Sequence, residues 1–94
     1  MERHIYFNID RSDFSKFYRK LNSIGYIGNG AIEGMSLSDI EDTNLAIKGN
    51  LVLEIDTSFK IFRLWHGKLD VVSTFDHNPT ITDADIVWDE LKDL

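Results

Sequence analysis

Apolar positions along the chain change period several times, and each change marks an element. Residues 4–9, "HIYFNI", are rich in β-branched and aromatic side chains and read as a strand. Phe14, Phe17, Tyr18 and Leu21 then recur at i, i+3, i+4 and i+7, one face of a helix. Ser15, Lys16, Arg19, Lys20 and Asn22 fill the other side. Asp10 or Ser12 is placed to cap this helix, and Gly25 to end it in a left-handed conformation. In "SLSDIEDTNLAIK", residues 36–48, Ser38 and Glu41 have capping-box spacing, but Asp42, Thr43 and Asn44 are poor helix formers. The pattern predicts a short helix over 38–43, with "NLAI" extended.

The clearest strand signal is "LVLEIDTSFKIFRLW", residues 51–65. Leu51, Leu53 and Ile55 alternate with Val52, Glu54 and Asp56. A two-residue turn at Thr57-Ser58 places Leu53 opposite Phe62 and Leu51 opposite Leu64. Glu54 and Asp56 then share the opposite face, which alternation assigns to solvent. His66-Gly67 makes another turn, "KLDVVSTF" a further strand, and "DHNP", residues 76–79, stops it. Thr82-x-x-Asp85 opens a final helix over 83–93, with Val87, Leu91 and Leu94 as its inner stripe and Ala84 and Trp88 beside it. The order β-α-(α)-β-β-β-α predicts one α+β domain over residues 1–94, an antiparallel-rich sheet with helices on one face. Its expected core is Ile5, Phe7, Phe14, Phe17, Leu21, Leu51, Leu53, Ile55, Phe62, Leu64, Val71 and Leu91.

"GYIGNGAIEG", residues 25–34, holds four of the six glycines. A phosphate cradle places glycines between a strand and the start of a helix. Here they follow a helix, no Gly-Lys-Ser/Thr follows them, and Glu33 adds a negative charge. The expected role is a helix stop and a flexible connector.

Charge changes the picture more than composition does. Sixteen acids against ten Lys and Arg give a net −6. The excess is concentrated in residues 31–47, where Glu33, Asp39, Glu41 and Asp42 meet no base, and in residues 76–94, where six acids meet Lys92 alone. A chain so charged lacks the basic stripe that direct nucleic-acid binding needs, and a basic protein is its natural complement. No apolar run approaches the roughly twenty residues of a membrane span. "MERHIYFNID" lacks a signal-peptide apolar region, so the expectation is an intracellular protein. The absence of cysteine removes disulfides, thiolate metal sites and cysteine nucleophiles.

Catalytic patterns are sparse. His4, His66 and His77 stand apart, without a second histidine at zinc-ligand spacing. Counted from Asp83, an EF-hand loop would place Trp88 where glycine belongs and Leu94 where glutamate belongs. Glu54 and Asp56 form a carboxylate pair, but on the face expected to meet solvent. The expectation is therefore a non-enzyme without cofactor or metal. Trp88, set among Asp85, Asp89 and Glu90, has the character of either an interface anchor or an edge-of-core packer.

The strand "HIYFNI", the aromatic helix "FSKFYRKLNSIGY" and the hairpin "LVLEIDTSFKIFRLW" together resemble small accessory proteins of tailed phages, in size, acidity and layout over residues 4–65. That resemblance implies a host-takeover or anti-defence inhibitor acting in the cytoplasm of the host cell on a basic nuclease, polymerase or defence protein. Its acidic surface would take the place of nucleic-acid phosphate. The expected contact residues are Asp39, Glu41 and Asp42 in one patch, and Asp83, Asp85, Trp88, Asp89 and Glu90 in the other. The alternative is a binder of a nucleotide signal at Gly28, Asn29 and Gly30, with Arg11, Arg19 or Lys20 brought near in space. A third possibility is an ordinary structural or interaction domain.

Overall fold

The computed structural model describes residues 4–43, 45, 51–67 and 81–94. The strands and helices are β1 (His4–Ile9), α1 (Arg11–Ser23), β2 (Ile27–Asn29), α2 (Leu37–Thr43), β3 (Leu51–Asp56), β4 (Ile61–Trp65), β5 (Ile81–Thr82) and α3 (Ala84–Leu91). A single 3₁₀ turn, Gly30–Ile32, lies between β2 and α2. The five strands form one mixed sheet in the order β2-β4-β3-β1-β5. Its long central pairings, β1 with β3 and β3 with β4, are antiparallel, while the short edge strands β2 and β5 pair in parallel with β4 and β1. The α+β class expected from the sequence is present. No helix among the described residues is long and apolar enough to cross a membrane.

The sheet separates two sets of side chains. On one face, Phe7, Ile9, Leu51, Leu53, Ile55, Phe62 and Leu64 meet Phe14, Phe17 and Leu21 of α1, Ile40 of α2, and Val87 and Leu91 of α3 in one buried cluster. Aromatic edges fix the seat of α1: the Phe17 ring lies 4.9 Å from Phe7, and Tyr18 stands edge-on to Phe62 at 5.7 Å. Helix α1 then stops as its sequence requires. Gly25 takes φ +95°, and the N–H groups of Gly25 and Tyr26 donate to the carbonyls of Asn22 and Leu21, the paired bonds of a Schellman end. On the other face, Tyr6 and Val52 are buried with Trp65 and Ile81 packed on them.

Several local expectations are corrected by tertiary pairing. The glycine-rich segment is more than a connector, because Ile27–Asn29 pairs along β4 as an edge strand. In the hairpin, Leu53 faces Leu64 and Ile55 faces Phe62, two residues out of the expected register. The reason is the connection: Thr57 to Lys60 forms a four-residue turn in which Asp56 Oδ1 accepts from the N–H groups of Ser58 and Phe59 and Lys60 takes φ 53°. A two-residue shift preserves the faces, so the core set survives it. The capping box of α2 is Ser36 with Asp39, each accepting the other's backbone N–H, rather than Ser38 with Glu41. Leu94 is exposed and outside the inner stripe of α3. Ile5 is half-buried at the rim of the core. The expected strand 68–75 with Val71, the "DHNP" turn with His77, and most of "NLAI" lie outside the described residues.

Leu53 is fully buried at the centre of the sheet. Leu53→Ala is expected to cost roughly 2–5 kcal/mol, from lost burial plus the cavity left behind. Urea unfolding of the two proteins measures it.

Candidate functional site

Parallel pairing of β1 with β5 determines what the sheet edge can offer. Both strands leave the sheet in the same direction, and each leads at once into a helix: β1 through Asp10 into α1, β5 through Asp83 into α3. The two helix starts flank an open cleft of about 540 Å³, lined by Asn8, Asp10 and Asp13 on one side and by residues 81–85 on the other. Four of the lining residues are aspartates: Asp10, Asp13, Asp83 and Asp85. Each sits in the first turn of a helix or just before it, where unpaired N–H groups and the macrodipole favour negative charge. Asp83 is the N-cap of α3, its Oδ1 accepting from the N–H of Asp85 at 3.2 Å.

The lining contains no lysine or arginine. Carboxylates accept hydrogen bonds and donate none, so the cleft suits a cationic group and repels phosphate. No three His, Asp or Glu side chains among the described residues are grouped closely enough to hold a metal ion. The chemistry is that of a broad, open acidic surface.

The residues singled out by sequence are placed as follows. Asp83 and Asp85 line the cleft, joined there by Asp10 and Asp13 from residues 1–20, where Lys and Arg outnumber Asp and Glu. Asp89 and Glu90 are exposed farther along α3, and Asp89 pairs with Lys92 at 3.1 Å. Asp39, Glu41 and Asp42 are exposed on α2, outside the cleft lining, and Asp39 belongs to the cap of its own helix. Helix α1 reaches toward both acidic helices: Tyr18 donates to the carbonyl of Met35 just before α2, and Phe17 meets Trp88 of α3. Trp88 itself is half-buried, its ring edge-on to Phe17 at 5.4 Å with Lys16 Nζ 4.5 Å from its centroid. Ile86, next in the chain to Asp85, is a large apolar side chain of α3 that is exposed.

A second polar constellation lies on the other face of the sheet, and sequence reasoning missed it. Glu54 and Asp56, expected in solvent, are 0% and 3% exposed. All six residues of β3 are buried, because the strand is central in the sheet and its neighbours' side chains, Tyr6, Trp65 and Ile81 among them, close over its second face. Glu54 lies opposite Arg63 on β4 and Tyr6 on β1. Its Oε2 accepts from Arg63 Nη1 and from His4 Nδ1, each at 3.0 Å, and its Oε1 accepts from Trp65 Nε1 at 3.0 Å. His4 Nε2 lies 3.4 Å from Asp56 Oδ2. Burial, and next the charge of Glu54, push the Tyr6 phenol above its ordinary range, against the pull of Arg63. Both Glu54 oxygens are engaged in hydrogen bonds and sealed from solvent. The one legible signal was an acid-x-acid strand followed by Arg-x-Trp at cross-strand positions. Only the register shows that they meet.

Comparison with models of known protein families, with curated proteins and with solved structures found no match for this chain.

Removing Glu54 leaves the half-buried Arg63 guanidinium and Trp65 indole without their acceptor. Glu54→Ala is therefore expected to cost about 3–5 kcal/mol, comparable with Leu53→Ala. Glu54→Leu combined with Arg63→Met, which removes both charges, should recover much of that loss in the same urea experiment.

Proposed function

We propose that the chain is a non-enzymatic binding protein that receives Lys and Arg side chains of a basic protein partner in the cleft between the starts of α1 and α3. The observation that carries this reading is the convergence of Asp10, Asp13, Asp83 and Asp85 on one open cleft with no cation in its lining. Asp89 and Glu90 extend the acidic surface along α3, and Asp39, Glu41 and Asp42 form a separate acidic patch on α2. Long-range attraction from such a surface accelerates encounter with a basic partner and is weakened by salt. The resemblance to tailed-phage accessory proteins favours a nucleic-acid-handling or defence protein of a host cell as that partner. The cleft and its exposed rim then offer carboxylates where that partner normally meets phosphates.

The nucleotide-signal alternative draws less support from its own residues. The Asn29 side chain accepts from the N–H of Gly30, and the nearby Arg63 guanidinium is engaged with Glu54.

The test uses a short oligo-arginine peptide as probe, with oligo-glutamate as control. Titration into nitrogen-15-labelled protein should give saturable amide shifts around Asp10, Asp13, Asp83 and Asp85 with the cationic peptide alone. Asp13→Lys combined with Asp85→Lys should weaken that binding by roughly tenfold or more at low salt. Shifts scattered over the whole surface, with affinity unchanged in the double variant, would sink the cleft reading. Affinity capture from a host lysate then identifies the basic partner.

A further inference from the structure

Asn29-Gly30 is the one place in the chain where asparagine is followed by glycine. The pair closes β2 and opens the 3₁₀ turn. There the Asn29 side chain folds onto the chain that follows it, and its Oδ1 accepts from the N–H of Gly30 at 2.9 Å. The main-chain nitrogen of Gly30 is thus held against the Asn29 carboxamide, whose carbon Cγ is an electrophile. Gly30 is exposed, so water has access, and at φ +68° it carries no Cβ to crowd the approach. A Cβ at that position would lie 3.6 Å from Cδ of Arg63, and Arg63 is also the register partner of Asn29 on β4.

The asparagines of β1 and α1 are placed differently. Asn8 precedes the β-branched Ile9 within β1, which is paired along its length with β3. Asn22 precedes Ser23 in the last turn of α1, where the following N–H belongs to the bonds of the helix.

We propose that Asn29-Gly30 is a site of spontaneous covalent modification, at which Asn29 loses ammonia through a cyclic imide and becomes aspartate or isoaspartate. The chain turns about the Asn29 Cα–C bond, from its ψ of 171°, and brings the Gly30 nitrogen over Cγ. That nitrogen gives its proton to solvent, and its electron pair forms the N–Cγ bond. The Cγ–Nδ2 bond breaks, and Nδ2 takes up a proton from water and leaves as ammonia. Water then opens the imide by adding to either of its carbonyl carbons. Addition at Cγ restores the ordinary chain with aspartate at this position. Addition at the main-chain carbon leaves the chain running through Cγ, an isoaspartate with Cβ inserted in the backbone. Water is the sole co-reactant, and nothing is oxidised or reduced. Either product sets a new carboxylate beside Arg63, whose Nη1 already donates to Glu54 at 3.0 Å.

Peptide mapping of the intact wild-type protein, after prolonged warm incubation at neutral pH, tests the site. The free peptide "GYIGNGAIEG", residues 25–34, serves as the clock. By the time the peptide has fully converted, Asn29 of the protein should be recovered largely as isoaspartate and aspartate, separated by chromatography and identified by mass. Asn8 and Asn22 should remain asparagine. An intact Asn29 at that time would overturn the proposal, because the fold would then be protecting it. Conversion of Asn8 or Asn22 to the same extent would overturn it too, since loss of structure rather than a local site would be responsible. The Arg63 Nε–H resonance should shift in Asn29→Asp relative to the wild type, and an unmoved resonance would overturn the placement of the new carboxylate beside Arg63.

Discussion

The structure depends on burying β3 on both faces while one of those faces carries charge. Toward the helices, the strand presents Leu51, Leu53 and Ile55, which any hydrophobic core accepts. Away from them it presents Val52, Glu54 and Asp56, and ionised carboxylates are tolerated there only because donors surround them. The donors come from both neighbouring strands, Arg63 and Trp65 from β4 and His4 from β1. A strand inserted out of register would leave Glu54 buried without them. The network thus penalises wrong pairing more than it adds to the stability of the correct one, since desolvation offsets much of the attraction within a buried ion pair.

With β3 held in place, β1 and β4 are fixed beside it, and the edges follow. The aromatic contacts of α1 carry that order outward: Phe17 reaches Phe7 and Trp88, and Tyr18 reaches Phe62. Trp88 is in turn covered by Lys16, and Lys20 Nζ meets the carbonyl of Leu94 at 2.7 Å beyond the end of α3. Two lysines of α1, Lys16 and Lys20, are thus engaged with α3 and the residues that follow it.

The cleft owes its acidity to local helix chemistry. Aspartate is a favoured residue just before and within the first turn of a helix. Two helices beginning side by side bring two such sets together. Their mutual repulsion is softened by the adjoining N–H groups, as at Asp83 and Asp85. Open volume lies between the two sets, and that volume exists because β1 and β5 are parallel neighbours.

The sequence by itself determined the class of fold, helix α1 with its glycine stop, and most of the helix-side core, though not Ile9, Ile32, Ile40 or Leu45. These rest on periodicity and on backbone limits that act within a few residues: Phe14, Phe17 and Leu21 must share a face, and Gly25 is the residue that tolerates its positive φ. The two acidic segments were equally legible as charge. Tertiary structure alone decided that Asp10 and Asp13 join Asp83 and Asp85, that Ile27–Asn29 is a strand, and that Glu54 and Asp56 are sealed from water. Alternation along β3 correctly separates its two faces, but whether the second face meets solvent depends on what lies across it. The partners of Glu54 are fifty residues back at His4 and nine residues on at Arg63. Such meetings are set by strand order and register, which no local pattern of residues encodes.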